Sequence, residues 1–174
     1  MKMGWLRRLF GMEGICLSTA ASYWEVDGPK TFEELFNALK GWVLEDAVLY
    51  CEGGSPDAEI DSFIAMHSVP EVSHVARETI WPPPKVFHLP ATATILTKLA
   101  GIMKHHAEPE LAVHFHIYRN DSVLLEWHDA FSQPMLMSGV ISEDKIKGLA
   151  DKIGKNYRKI VKRGAPSDVE RRRR

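Results

Sequence analysis

Four side chains in one stretch of this chain have the chemistry to hold a metal ion or pass a proton. They are His114, His116, Glu126 and His128, within LAVHFHIYRNDSVLLEWHDAF from Leu111 to Phe131. Neutral imidazoles with a carboxylate are the ligand set of zinc and non-haem iron sites. An imidazole beside a carboxylate is also an acid–base couple that works near neutral pH. Either chemistry requires the four groups to meet, so it depends on the strands that carry them.

Those strands show as alternation. Leu111, Val113, Phe115 and Ile117 alternate with Ala112, His114, His116 and Tyr118, and Val123, Leu125 and Trp127 alternate with Leu124, Glu126 and His128. A hairpin that buries one face must put both apolar sets on the same side, which requires an odd-length loop. A three-residue loop, Asn120-Asp121-Ser122, pairs Arg119 with Val123, His116 with Glu126 and His114 with His128. Directly opposed Cβ atoms then lie about 5 Å apart. The same loop one position earlier pairs His114 with Glu126 and favours an acid–base couple over a metal site. A two-residue loop would set Phe115 opposite Glu126. The plain alternative to any site is a sheet whose outer face carries polar residues.

Other candidates are weaker. The chain has no HExxH, no paired Cys ligands, no GxSxG and no glycine-rich nucleotide loop. Cys51 ends an apolar run, DAVLYC, and reads as a small core residue; Ser138 has no recognisable nucleophile elbow around it. The junction Glu52-Gly53-Gly54-Ser55-Pro56 leads into a helix with Ser55 as cap and Pro56 at its first position. Its anion-binding potential is countered by Glu52, Asp57, Glu59 and Asp61, which already occupy the favourable field. His105 and His106 close a helix over Thr92 to His106, where a cation suits the carbonyl end.

The remaining elements follow from periodicity. Thr31 to Glu34 has capping-box spacing, and Phe32, Leu35, Phe36, Leu39 and Trp42 recur on one helical face. Lys85 to Leu89 reads as a strand after Trp81-Pro82-Pro83-Pro84, which must be extended. Pro134 to Ile141 reads as another strand. Ser142 starts a long helix whose apolar period runs through Tyr157 and Ile160 until Gly164 and Pro166. A strand within Ser22 to Val26 completes the set. The expected fold class is α/β (α+β): a mixed β-sheet of about five to six strands with helices packed on it. The first half resembles crossover units, and the second is an antiparallel meander followed by a long helix.

At 174 residues, 45% hydrophobic and 26% charged, the composition is that of a globular protein. We expect residues 1–14 to be a short basic amphipathic segment, 15–163 one domain and 164–174 a mobile basic tail. From Lys155 onward nine Lys or Arg face two acids, giving +7, so the preceding residues carry −8 within the total of −1. An acidic body argues against a domain that wraps nucleic acid, whose phosphates dominate such binding. No apolar run reaches the roughly 20 residues of a membrane span. Gly11, Glu13 and Gly14 interrupt what a secretory signal would need to be apolar. Cys16 and Cys51 suit a reducing compartment, their pairing left open, and the expected location is the cytoplasm.

Three functional readings follow. The leading one is a non-enzymatic, inhibitor- or adaptor-like domain that binds a protein partner through its acidic body. The second is a small metal-dependent or His–carboxylate acid–base enzyme using His114, His116, Glu126 and His128. The third is a membrane- or RNA-associated protein using its basic ends: Trp5, Leu6, Leu9 and Phe10 for a membrane surface, Arg171 to Arg174 for anionic partners. No cofactor, metal or sequence-specific nucleic acid is expected; were a metal present, His114, His116 and His128 would be its ligands. The oligomeric state is left open.

Overall fold

The computed structural model describes residues 14–20, 22–42, 46–79 and 82–161. The amphipathic segment with Trp5, Leu6, Leu9 and Phe10, and the tail from residue 164, lie outside the described residues. Among these residues seven strands form one sheet: β1 (Tyr23–Val26), β2 (Val48–Glu52), β3 (Val86–Pro90), β4 (His114–Arg119), β5 (Ser122–Trp127), β6 (Met135–Ser138) and β7 (Tyr157–Ile160). Their order across the sheet is β3-β2-β4-β5-β6-β1-β7. Among the described residues five helices accompany them: α1 (Phe32–Leu39), α2 (Ala58–His67), α3 (Ala93–Met103), α4 (Glu108–Leu111) and α5 (Glu143–Ile153).

The α+β class and the β4–β5–β6 meander are as the periodicity implies. The sheet differs in having seven strands, with every ladder between them antiparallel, so the expected crossover units do not form. The extra strand comes from the final helix, which stops at Ile153. Gly154 takes φ 64°, and Lys155 donates its N–H back to the Ala150 carbonyl at 2.9 Å, a left-handed helix end that glycine permits without strain. Tyr157 and Ile160 therefore belong to β7, paired with β1.

One sheet face is covered by helices. Phe32, Leu35, Phe36 and Leu39 of α1, Leu96 and Leu99 of α3, and Ile146 and Leu149 of α5 pack on Trp24, Leu49, Phe115, Ile117, Leu125 and Trp127. The opposite face is covered by two extended segments instead. Ile15, Leu17, Val69 and Val75 close over Val48, Tyr50, Tyr118 and Val123. A parallel bridge, Ile15 to Val75, ties the segments together, with Ile15 N–H donating to the His74 carbonyl at 2.7 Å. Strand β2 is buried along its whole length for this reason.

Helix α2 starts later than Pro56. Asp57 is its cap, its carboxylate accepting from the N–H groups of Glu59 and Ile60 at 3.0 Å, while Ser55 donates its backbone N–H to the Pro109 carbonyl at 3.1 Å. Gly54 is required by contact rather than by a ligand: a Cβ there would sit 2.2 Å from the Leu111 carbonyl oxygen.

Helix α3 ends at Met103, and His106 is not its terminal cation. It bridges α4 and the start of α2, with Nδ1 2.8 Å from Glu110, Nε2 3.0 Å from Glu59 and Asp57 3.8 Å away. Glu110, then Glu59, holds its pKa above the ordinary histidine value. Protonated His106 therefore stabilises the fold in full below the unfolded pKa of about 6.5, and that stabilisation is lost as pH rises through the raised value. Urea unfolding at about pH 6 and about pH 9 should show a lower midpoint at the higher pH, and His106→Gln should remove that part of the difference. An equal pH dependence in wild type and variant would show that the ion cluster does not contribute.

Candidate His–carboxylate site

The hairpin that carries the four residues reaches its register by an unexpected device. The turn has two residues, Asn120 at φ 49° and Asp121, with Arg119 opposite Ser122. The three-residue loop is thus corrected. A β-bulge then leaves Leu124 as an extra residue: Tyr118 pairs with Val123, but Ile117 pairs with Leu125. Without it the turn would set Phe115 against Glu126. With it Phe115 lies opposite Trp127 on the helix face and His116 opposite Glu126 on the other. Burial of a large aromatic contributes roughly 2–3 kcal/mol, and a bulge is the less costly solution.

Across the second face the registers align His88, Tyr50, His116 and Glu126 into one transverse row. Glu126 is buried, and burial alone would push its pKa up. The His128 ring N–H that it accepts, and the Leu17 N–H at 2.5 Å, outweigh that and hold it below the usual carboxylate value. His128 stands just past β5, partly exposed, between two carboxylates. Its Nε2 is hydrogen-bonded to Glu126, and its Nδ1 is 3.6 Å from Glu78.

His116, 1% exposed, stacks on Tyr50 with centroids 5.2 Å apart and meets the edge of the His128 ring at 5.1 Å. Its Nδ1 is buried without a hydrogen-bond partner, and desolvation lowers its pKa to about 3. His114 lies at the margin, 6.2 Å from His128 between ring centroids. Its Nδ1 accepts the Asp129 N–H at 3.0 Å, which puts its own proton on Nε2. Asp129 holds φ 45° to make that contact.

His116, Glu126 and His128 are therefore brought together, with His114 beside them. Glu78, which the sequence reading missed, completes the group: ligand-type atoms of Glu78, Glu126 and His128 all lie within 4.8 Å of one another. A second such group, Asp57, His106 and Glu110, is the ion cluster already described.

Glu52 was also missed as a partner of the site. Fully buried, it accepts from the Tyr50 hydroxyl at 2.5 Å and from the N–H groups of Glu78 and Thr79 at 3.2 and 2.6 Å. It thereby positions the backbone that carries Glu78. Tyr50 and Cys51 are both pushed well above their ordinary pKa values, Cys51 by burial and Tyr50 by burial and then Glu52. Cys51 is a core residue and not an available thiolate. The only advance signal for Glu52 was its even-numbered step from Val48 and Tyr50 along β2.

A cavity of about 470 Å³ lies off the β1–β7 side, between Asp27, Pro134, Asn156 and the Glu25–Arg158 ion pair, and the histidines are not in its wall. No family model, curated protein or solved structure matches this chain.

Replacing Glu52 by Ala strands a buried hydroxyl and two N–H groups and should lower the unfolding free energy by about 3 kcal/mol. The Glu78 and Thr79 amides should lose exchange protection more than those of β4, measured by hydrogen exchange and NMR. Unchanged protection at those two amides would show that Glu52 does not hold the segment.

Proposed function

We propose that Glu78, Glu126 and His128 bind a divalent transition-metal ion of zinc type, and that this centre is the working part of a small metal-dependent enzyme. The observation that carries the reading is the convergence of three ligand-type groups within 4.8 Å, two from the end of β5 and Glu78 from the segment that covers the sheet, beside the buried Nδ1 of His116, which has no hydrogen-bond partner. Donors on an ion with bonds of about 2.0–2.2 Å sit roughly 3–4 Å from one another, so small side-chain rotations convert this group into a coordination shell. Two carboxylates and an imidazole favour a zinc-like or harder ion over a thiophilic one. Three protein donors are the number found in catalytic sites, where closed structural sites have four. Bound there, the ion would supply Lewis acidity and a more acidic water. The chain's own part is to orient Glu126 through the Leu17 amide, to keep His116 neutral and to hold Glu78 through Glu52.

The acidic body supports a protein-binding role through charge alone. The exposed large apolar residues among those described, Met66, Val72, Val140 and Val161, come from four separate segments, so no face is picked out for a partner.

Calorimetric titration of metal-stripped protein with zinc should show one site with a Kd of about 1 μM or tighter. Glu78→Gln, Glu126→Gln and His128→Ala should each weaken it at least about tenfold, and His106→Gln should leave it unchanged. Absence of stoichiometric binding, or binding that follows His106 instead of His128, would overturn the assignment.

A further inference from the structure

A second cavity, of about 300 Å³, opens on the helix side where β4 and β5 meet the start of α5. Its wall is apolar on one side, with Trp42, Leu124 and Ile141, and cationic at the mouth, with Arg119 and Lys145. Among the described residues no carboxylate lines it. Leu124 is there because it is the bulge residue of β5, set toward the helix face with Leu125. Two independent features point to an anion. Ser142, also in the wall, caps the eleven-residue helix α5 without a side-chain hydrogen bond, so the positive end of the helix dipole meets the cavity with its cap hydroxyl uncommitted. Trp42, 7% exposed, has an indole N–H that is buried and has no acceptor. Buried donors are almost always paired.

Arg119 and Lys145 make no ion pair among the described residues, which leaves both free to meet an incoming charge. The first-turn acids of α5 do not cancel them at the cavity. Glu143 accepts from Tyr157 at 3.5 Å on the β7 side, and neither Glu143 nor Asp144 is in the wall. Val140, also in the wall, is 85% exposed and adds an apolar surface for a ligand body to cover.

We propose that this cavity is a binding site for a small organic acid: an apolar body lying against Leu124, Ile141 and Val140, with its carboxylate held by Arg119, Lys145, the Trp42 indole N–H and the start of α5. The volume is at the lower end of small-molecule sites, which run from about 300 Å³ upward. An inorganic anion would leave the apolar wall unused, and a neutral apolar molecule would leave both cations and the indole N–H unused.

The test is a titration of the full chain with octanoate, octanol and inorganic phosphate, followed by the indole N–H resonances in a proton–nitrogen correlation spectrum. Octanoate should saturate with a Kd of about 1 mM or tighter and shift the Trp42 indole signal downfield as it gains an acceptor. Octanol should bind at least about tenfold more weakly, and phosphate alone should not move the signal. Arg119→Gln and Lys145→Gln, both exposed and compatible with folding, should each weaken octanoate severalfold, and together at least about tenfold. Octanol binding as well as octanoate would overturn the proposal, as would phosphate saturating the site by itself. Octanoate affinity that survives the double replacement, or an unmoved Trp42 signal, would do the same.

Discussion

The burial of one apolar face of the β4–β5 hairpin is the constraint on which both sites depend. Phe115 and Trp127 must face α1, where Phe32 packs edge-on to each, and a two-residue turn by itself is out of phase with that requirement. The chain resolves the conflict with one extra residue, Leu124, accommodated as a bulge. On the far face the corrected phase brings His116 opposite Glu126. On the near face the displaced Leu124 becomes the wall of the α5 cavity. A packing requirement on aromatics thus decides where the histidines go.

The second sheet face is closed by carboxylates as much as by apolar contact. Two extended segments have no ladder of their own with β2 or β5, and a cover of that kind would leave backbone N–H groups unsatisfied. Glu126 takes the Leu17 amide, and Glu52 takes those of Glu78 and Thr79. Each carboxylate does two things at once, receiving a side-chain donor, Tyr50 of β2 or His128 just past β5, and a backbone donor from the cover. Burying such groups is tolerable because their lone pairs are occupied. It also explains why Glu78 arrives beside His128: the residue is delivered by its own backbone.

His106 and His128 both stand among carboxylates, but in different circumstances. His106 has a carboxylate on each ring nitrogen and links α2 to α4 near the surface, where charge pairing accounts for the whole arrangement. His128 adjoins a buried glutamate and a second imidazole kept neutral by burial.

The amino-acid sequence alone determined which side chains share a face, except at the bulge, where Val123 joins Tyr118 on the second face and Leu124 the helix face, the reverse of the expected alternation. The alternation of Phe115, Ile117, Leu125 and Trp127 against His114, His116, Glu126 and His128 is a property of strand geometry and burial, legible without any neighbour. The helical stripe of Phe32, Leu35, Phe36 and Leu39 was legible for the same reason. Tertiary structure decided the rest. A bulge adds a residue without changing composition, so turn length could not be inferred from the face rule. Tyr157 and Ile160, three residues apart, continue the helical period, and only the open edge of β1 and the left-handed Gly154 assign them to β7. Glu78 and Glu52 are remote from the histidines in sequence. They join the site because β2 pairs with β4, and because a non-periodic segment is tied down by hydrogen bonds that leave no pattern in the order of residues.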